Sequence, residues 1–328
     1  MTGVECTLIN KINIGIIGDK RHAKRLRQVV DLSERANVKS IFHPQRKPDH
    51  PLGTTNLNDL KNCDAIIIAA PNDFHLDYLE KTSIWKKYIF LEKPIANDKK
   101  NLVKSLKIIR SGKVYVNYNY RFSEIDNAIK KYKDEIGNII SIDIFSGNGL
   151  SFKKTENLDW RLSNQKSSDI VLRTKSIHWI DYLLYKFGHS QDIRYHKKSF
   201  GPNQSLDTAI VEMNWAKGPN ARIIASYASP LIFQINLIGN NGILLMDSES
   251  IKISSPRDTF NEDGFFSRPP SKEVNYPGTH NLYFGSLVNS FEYFIDYVQE
   301  KCPIPPEIIE QSISTELLIN SIVDPIYG

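Results

Sequence analysis

The fold is decided by the stretch Ile14-Gly15-Ile16-Ile17-Gly18-Asp19-Lys20-Arg21-His22-Ala23. In this stretch a short apolar run ends at a glycine and a helical pattern follows. A continuous apolar run is typical of a strand covered on both faces of its sheet. In the dinucleotide spacing Gly-x-Gly-x-x-Gly/Ala, Gly18 and Ala23 fill the outer places and Lys20 the middle one. The stretch therefore predicts either a nucleotide-binding turn with Lys20 or Arg21 against phosphate, or a similar turn with a solvated basic face.

Outward from this turn, strand and helix patterns alternate through the N-terminal part of the chain. The predicted strands are short apolar runs, at 12–17, 38–42, 64–69, 88–91 and 114–117. Strands that alternate with helices indicate a parallel, doubly wound sheet of the Rossmann type. We therefore expect an N-terminal dinucleotide-binding domain over residues 1–122.

The remainder, residues 123–328, has a different pattern. Helices are predicted at 123–135, 169–187, 282–299 and 306–322, and strands at 138–145, 208–214, 221–227, 232–238 and 243–246. Consecutive strands without intervening helices favour an antiparallel or mixed sheet covered on one face. The predicted fold class is thus α/β, with a second α/β domain that carries an open, largely antiparallel sheet and serves substrate binding and oligomerisation.

Composition excludes several classes of protein. With 328 residues, 41% of them hydrophobic, the chain is long enough for a core without disulfides or metals. No window approaches 18 consecutive apolar residues, so we expect no membrane span. The excess of 42 basic over 37 acidic residues is small and lacks the dense basic stripe of a nucleic-acid domain. Three unpaired cysteines and no apolar leader predict a cytoplasmic protein without a metal site.

The end of the second predicted strand bears on cofactor choice. An acid that would bind the adenosine ribose is expected there, but the chain has His43, Arg46 and Lys47 nearby. Basic side chains would accept a 2′-phosphate, so this segment favours NADP over NAD. A plain surface loop is the alternative interpretation.

Three further segments each follow the end of a predicted parallel strand. They are Ala69-Ala70-Pro71-Asn72-Asp73-Phe74-His75, Leu91-Glu92-Lys93-Pro94 and Tyr118-Asn119-Tyr120-Arg121-Phe122. In this order and spacing the chain resembles the Gfo/Idh/MocA oxidoreductases. Glu92-Lys93-Pro94 is the most specific element, and the segment His178-Trp179-Ile180-Asp181 also fits.

The resemblance implies an NAD(P)-dependent oxidoreductase that acts on a sugar or nucleotide sugar and forms a homodimer or homotetramer. Lys93 would lie beside the nicotinamide and the substrate hydroxyl, and His178 would be the acid/base histidine. Its near-neutral pKa suits proton exchange with a carbinol. The substrate-binding candidates are Asn119, Arg161, Thr174 and Asp181. The cofactor-binding candidates are Gly18, Lys20, Arg21, His22, His43, Arg46, Ala70, Pro71, Asn72, His75, Glu92 and Arg121.

The chain also departs from the family pattern. Thr174 stands where the family usually has an aspartate, one helical turn before His178. Ser168-Asp169-Ile170 stands where the family often has a run of glycines. Lys20 stands where the dinucleotide motif has its second glycine. These changes leave open a second hypothesis, a non-catalytic regulatory protein on the same fold that binds a nucleotide or a sugar. The retention of Lys93 and His178 favours the enzyme.

Overall fold

A computed structural model describes residues 11–153, 169–202, 206–274 and 279–323, with side chains from residue 282 in the last range. It divides into two compact units. The first comprises Met1–Tyr118 and Leu287–Glu316, and the second comprises Asn119–Ser286 and Leu317–Gly328. This division differs from the expected one at residue 122 by returning a C-terminal segment to the first unit.

The first unit contains a parallel sheet of six strands within its described residues, in the order β3-β2-β1-β4-β5-β6. The strands are β1 Ile12–Ile17, β2 Ala36–Phe42, β3 Gly53–Thr54, β4 Ala65–Ile68, β5 Tyr88–Glu92 and β6 Val114–Asn117. All neighbours pair in parallel. The predicted Rossmann sheet is therefore confirmed, and β3 adds a short pair inside a predicted loop.

Helices cover this sheet and bury its apolar strands. They are α1 Arg21–Leu32, α2 His75–Ser83 and α3 Lys99–Ile109. Each residue of β4 and β5 is buried, which explains why these strands appear in the sequence as unbroken apolar runs. The sheet order reverses beside β1, so the carboxyl ends of β1 and β4 flank the switch point where such sheets bind ligands.

The C-terminal segment Leu287–Glu316 completes the core of the first unit. Phe294 packs edge-on against Phe90 with ring centroids 5.4 Å apart, and it lies 6.0 Å from the ring of Tyr115. Phe291 also meets Phe90, at 6.1 Å. Each such aromatic pair contributes about 0.5–1.5 kcal/mol beyond its buried area. The parallel sheet thus depends on residues from the far end of the sequence.

The second unit contains an eight-stranded sheet within the described residues, in the order β14-β13-β12-β11-β7-β10-β9-β8. The strands are β7 Ile139–Gly147, β8 Asp192–Lys198, β9 Thr208–Asn214, β10 Asn220–Ser226, β11 Ile232–Gly239, β12 Ile243–Asp247, β13 Ile251–Ser254 and β14 Ser271–Val274. Only the β7–β10 pair is parallel in this sheet as described. The predicted largely antiparallel sheet is confirmed.

The remaining helices are α4 Glu124–Lys131, α5 Lys133–Ile136, α6 Ile177–Phe187, α7 Thr279–Glu300 and α8 Pro306–Val323. A π-helical segment, Leu172–Ser176, leads directly into α6. The predicted helix at 169–187 therefore contains one wide turn, of a kind often found at functional sites. No helix in the described ranges is long and apolar enough to cross a membrane.

Candidate active site

The turn after β1 requires glycine at its first position. Gly18 has a φ of +125°, and a Cβ atom there would lie 2.6 Å from the Ala69 carbonyl oxygen. Any side chain would be both strained and blocked. Ala23, the small residue in the third place of the spacing, comes within 3.3 Å of the same position. The two outer small residues of the predicted motif therefore bring β1, β4 and α1 close together.

The N-terminus of α1 presents open hydrogen-bond donors beside cations. Lys20 is the N-cap residue and its side chain makes no capping bond, and the first turn contains no acid. Lys20 and Arg21 are both exposed. The first N–H groups of a helix lack internal partners and carry a partial positive charge. Together with two basic side chains they form a site suited to phosphate.

Asp19 holds Arg46, one of the predicted 2′-phosphate ligands. Arg46 Nη2 donates to Asp19 Oδ2 at 2.7 Å, and the carboxylate is buried while the arginine is half exposed. His43 is half-buried at the end of β2, where its Nδ1 accepts from the N–H of Gln45 at 3.3 Å. The basic loop after β2 is thus partly neutralised by an acid from the glycine turn.

Glu92, the last residue of β5, is buried in a polar cluster. His22 Nε2 lies 2.9 Å from Glu92 Oε1, an ion-pair distance, although its direction does not satisfy hydrogen-bond geometry. Asn117 Nδ2 donates to the same oxygen at 2.6 Å, and Ser290 Oγ donates to Asn117 Oδ1 at 2.8 Å. Burial raises the pKa of Glu92, but the charge of His22 and the hydrogen bonds outweigh it, so the pKa is lowered overall.

His75 links the other two loops at this edge of the sheet. Its Nδ1 lies 2.7 Å from the Pro94 carbonyl oxygen and its Nε2 lies 2.9 Å from that of Ala70. The ring is 1% exposed, and burial lowers the pKa of His75 despite the two carbonyl contacts. Pro71 and Asn72 continue the Ala70 loop, exposed and half-buried respectively, in the turn before α2.

Lys93 lies between Glu92 and Pro94, whose contacts are described above. Its neighbours Glu92 and Pro94 are buried and its own side chain is half-buried. The next residue, Ile95, donates its N–H to Glu316 Oε1 at 2.7 Å. The backbone on both sides of Lys93 is therefore held by buried polar contacts, at the carboxyl end of a central parallel strand.

In the second unit, the candidate histidine lies among aromatic rings. His178, on α6, is 8% exposed, and its ring stacks on Tyr120 with centroids 4.8 Å apart. Tyr120 also contacts Trp179 at 4.5 Å. This environment fixes the orientation of the imidazole.

Thr174, in the π-helical segment, takes part in two hydrogen bonds. Its Oγ1 donates to the Ile170 carbonyl oxygen at 2.5 Å and lies 2.8 Å from the hydroxyl of Tyr227. Lys175 Nζ lies 5.4 Å from the centroid of the same Tyr227 ring. The position that usually carries an aspartate in the family is here a neutral hydroxyl bonded to the helix and to the end of β10.

Two of the predicted binding residues bind each other instead. Arg121 Nε and Nη2 donate to Asp181 Oδ2 and Oδ1 at 2.8 and 2.6 Å, and the side chains are 2% and 0% exposed. This bidentate ion pair encloses both charges, and the cofactor contact of Arg121 and the substrate contact of Asp181 stay predictions. Arg161 lies outside the described residues.

Asn119 is a better-placed candidate. It is 1% exposed, and its Nδ2 donates to Ser286 Oγ at 2.6 Å. Ser286 Oγ donates in turn to the Tyr283 carbonyl oxygen, which fixes the orientation of the amide. Within the described part of the chain, the Asn119 Oδ1 atom has no hydrogen-bond partner. It is a buried acceptor that a ligand hydroxyl or amide could satisfy.

The first unit is similar in sequence to a known family. A family model described as "Oxidoreductase family, NAD-binding Rossmann fold" matches residues 12–120. The match covers the six strands of the parallel sheet and the loops that carry Gly18, His75 and Lys93.

Individual relatives extend the likeness beyond the first unit. Inositol 2-dehydrogenase of Rhizobium meliloti (strain 1021) is 25% identical over 258 residues, which cover 74% of this chain and 72% of the relative. 2,7-Anhydro-N-acetylneuraminate hydratase of Escherichia coli (strain K12) is 26% identical over 192 residues, 54% of this chain and 50% of the relative. The structure of levoglucosan dehydrogenase with NADH and levoglucosan shares the fold, with a TM-score of 0.76 at 18% identity, covering 95% of this chain and 96% of that one.

Sequence reasoning missed several residues of the candidate site. Asp19 and Asn117 had a local signal, since a polar residue after a strand or at its carboxyl end commonly faces a ligand in such sheets. Ser290 and Tyr227 had none, because each reaches its partner from a distant part of the chain.

Proposed function

We propose that the chain transfers a hydride between a nicotinamide cofactor and a carbinol carbon of a sugar or polyol. The observation that carries this proposal is the fixation of Lys93. A half-buried lysine is presented at the carboxyl end of β5 by a backbone that His75 and Glu316 hold through Pro94 and Ile95. Fixing the backbone of a charged residue at the ligand edge of a Rossmann sheet serves chemistry better than stability.

The first unit fits NAD(P). The glycine turn allows close approach of the backbone at Gly18, and the N-terminus of α1 offers N–H groups with Lys20 and Arg21 for the phosphates. Exposed Lys20 is free to fold over a pyrophosphate from the position where the dinucleotide motif has its second glycine. NAD(P), when bound, accepts or supplies a hydride at the nicotinamide ring.

Lys93 and His178 would handle the proton of the substrate hydroxyl. Lys93, presented at the carboxyl end of β5, would accept the hydroxyl proton as the carbinol is oxidised. His178, oriented by its stack on Tyr120, would be the second acid/base group. Asn119 Oδ1 would accept a hydrogen bond from the substrate or from the carboxamide.

Cofactor preference is the finer part of the proposal. His43, Arg46 and Lys47 support NADP, since no acid of this loop occupies the ribose position. The Asp19–Arg46 pair weakens this preference, because a 2′-phosphate would have to share Arg46 with a buried carboxylate. We propose that both cofactors bind and that NADPH binds at least as tightly as NADH.

The substrate class and the assembly follow from the relatives and from the surface. The named substrates of the relatives, an inositol, levoglucosan and an anhydro-neuraminate, support a sugar or polyol. A homodimer or homotetramer is supported by apolar side chains exposed on the eight-stranded sheet. They are Ile232, Ile238 and Leu245, with 37%, 41% and 37% exposure.

The experiment compares Lys93→Met and His178→Gln with the control Lys104→Met, an exposed lysine on α3. A panel of sugars, polyols and nucleotide sugars is screened first with NAD⁺ and NADP⁺. We expect turnover to fall about 10²–10⁴-fold in both variants, with cofactor affinity and unfolding unchanged. Tight cofactor binding without hydride transfer across the panel would instead support the regulatory hypothesis.

A further inference from the structure

We propose that Arg173 binds an anionic group of the substrate, so that the sugar carries a carboxylate or a phosphate. This inference rests on the proposed function only in calling the bound molecule a substrate. The site itself is built from residues of the second unit alone. It concerns a residue that neither the sequence motifs nor the family pattern single out.

Arg173 is a buried cation that has no counter-ion among the described residues. The residue is 8% exposed, and its Nη2 donates to the neutral Asn320 Oδ1 at 3.1 Å. Its Nη1 is buried and has no hydrogen-bond partner. Among the described residues, no carboxylate oxygen lies within 4.0 Å of its guanidinium nitrogens. Burying a charge without a partner is strongly unfavourable, so the arrangement calls for an anion that arrives with a ligand.

The charged residues near Arg173 further favour the binding of an anion. Asp169, one turn before Arg173, is the nearby acid, but its Oδ1 already accepts from Tyr195 at 2.9 Å and from Lys197 at 3.1 Å. Lys175, on the same segment as Arg173, adds a second basic side chain there, beside Tyr227. Asp169 already has a cationic partner in Lys197, so it does not serve as a counter-ion dedicated to Arg173.

The position of Arg173 ties the cation to the candidate active site. It lies inside the π-helical segment Leu172–Ser176, between Leu172 and Thr174, and five residues before His178. In a π-helix the N–H of residue i+5 bonds the carbonyl of residue i, as Ile177 does with Leu172. Arg173 and His178 are therefore about one wide turn apart. A sugar whose hydroxyl reaches His178 would place an acidic substituent within range of this turn.

The chemistry of a guanidinium defines what it would bind. Its planar fork matches the two oxygens of a carboxylate or a phosphate, and it discriminates poorly among neutral hydroxyls. A sugar acid and a sugar phosphate or nucleotide sugar share this group. A neutral polyol lacks it and would leave the guanidinium unpaired.

The test measures equilibrium binding by titration calorimetry on the full chain, with NADH present and absent. The probes are D-glucuronate, D-glucose 6-phosphate and UDP-glucose, with D-glucose and myo-inositol as neutral controls. The variants are Arg173→Gln and Arg173→Lys, with Arg194→Gln, an exposed arginine of β8, as the matched control. We expect at least one anionic probe to bind at least tenfold more tightly than glucose, and Arg173→Gln to remove that advantage. Arg173→Lys should retain part of it, and the control all of it.

Thermal unfolding separates this role from a structural one. If Arg173 is an unsatisfied ligand-binding cation, Arg173→Gln keeps or raises the unfolding temperature while anion binding is lost. The proposal is overturned if anionic probes bind no better than neutral ones, or if Arg173→Gln weakens both classes equally. Because binding is read without turnover, an anion site in a protein that transfers no hydride would refute the proposed function and leave this inference standing. A comparison of the affinity for D-glucuronate with the affinities for the two phosphate probes tells whether the site prefers a carboxylate or a phosphate.

Discussion

His75 joins two loops through Pro94: its Nδ1 lies 2.7 Å from the Pro94 carbonyl oxygen while its Nε2 lies 2.9 Å from that of Ala70. The imidazole thus connects the segment after β4 to the segment that carries Lys93. Because the ring is buried between these two loops, we expect His75 to act as a positioning group for the Lys93 loop.

Removing His75 should loosen the Lys93 loop. We expect His75→Ala to lower the free energy of unfolding by about 1–3 kcal/mol, since the buried carbonyl group to which the neutral ring donates loses its partner and the ring leaves a cavity. Turnover should fall with KM little changed, and His75→Gln should restore part of it by donating to one carbonyl. The exposed His189→Ala is the control. Equal turnover in His75→Ala and the wild type would contradict the positioning role.

His75 should also make stability depend on pH. Burial lowers the pKa of His75 in the folded protein below its ordinary value of about 6.5. As the pH falls below about 6.5, the unfolded chain takes up the proton first, so the free energy of unfolding decreases. We expect this decrease between about pH 6.5 and pH 5 to be smaller in His75→Gln. Urea denaturation at several pH values measures it, and parallel curves for both proteins would refute it.

Glu92 should contribute a separate dependence at more acidic pH. The charge of His22 and the hydrogen bond from Asn117 overcome the effect of burial and lower the pKa of Glu92. Its contribution to stability is therefore present above the unfolded pKa of about 4.3 and is lost as the pH falls through the lower, folded value. We expect Glu92→Gln to flatten the acid limb of the stability curve below about pH 4.5. The exposed Glu80→Gln should leave that limb as in the wild type.

The Asp19–Arg46 ion pair should tune cofactor choice. Asp19→Asn frees Arg46 and removes a carboxylate that would repel a 2′-phosphate. We expect the affinity ratio of NADPH to NADH to rise about tenfold, or about 1.4 kcal/mol, in a fluorescence titration. Arg46→Gln should shift the ratio the other way, and Asp31→Asn, at an exposed position of α1, should not move it. An unchanged ratio in Asp19→Asn would place the ribose elsewhere.

Thr174 is expected to be an adaptation and not a defect. Its hydroxyl donates to the Ile170 carbonyl oxygen, which a carboxylate cannot do. Thr174→Asp would place a negative charge against that carbonyl, and we expect a loss of about 1–3 kcal/mol in stability without a gain in turnover. Thr174→Ser should behave nearly as the wild type. If Thr174→Asp raises turnover at unchanged stability, the missing carboxylate is a defect after all.

Much of the fold could be predicted because local patterns determine it. Apolar runs such as Ile12–Ile17 that end at a glycine are typical of buried parallel strands, and the glycine that follows the run predicts the turn at Gly18, where φ is positive. β3 could not be predicted, since its two residues carry no periodicity. The π-helical turn could not either, because a shift of hydrogen bonding by one residue leaves no trace in composition.

The candidate site was predictable only in part. Motif spacing pointed to Lys93 and His178 by number, but partners that lie far apart in sequence decide what each charged residue does. Arg121 and Asp181 are separated by 60 positions and pair in the core, whereas Arg173 has no carboxylate partner among the described residues. In sequence, all three are simply charged residues near a motif.

The return of Leu287–Glu316 to the first unit has a consequence for how the protein is made. A ribosome releases the strands of the parallel sheet first, whereas Ser290, Phe294 and Glu316, which complete its core and hold Asn117 and Ile95, emerge only after the strands of the second unit. The parallel sheet cannot reach its final packing before then, and Phe90 and Tyr115 stay uncovered while those strands are translated. A gene fragment that encodes only the first 118 residues would therefore yield a sheet that lacks part of its core.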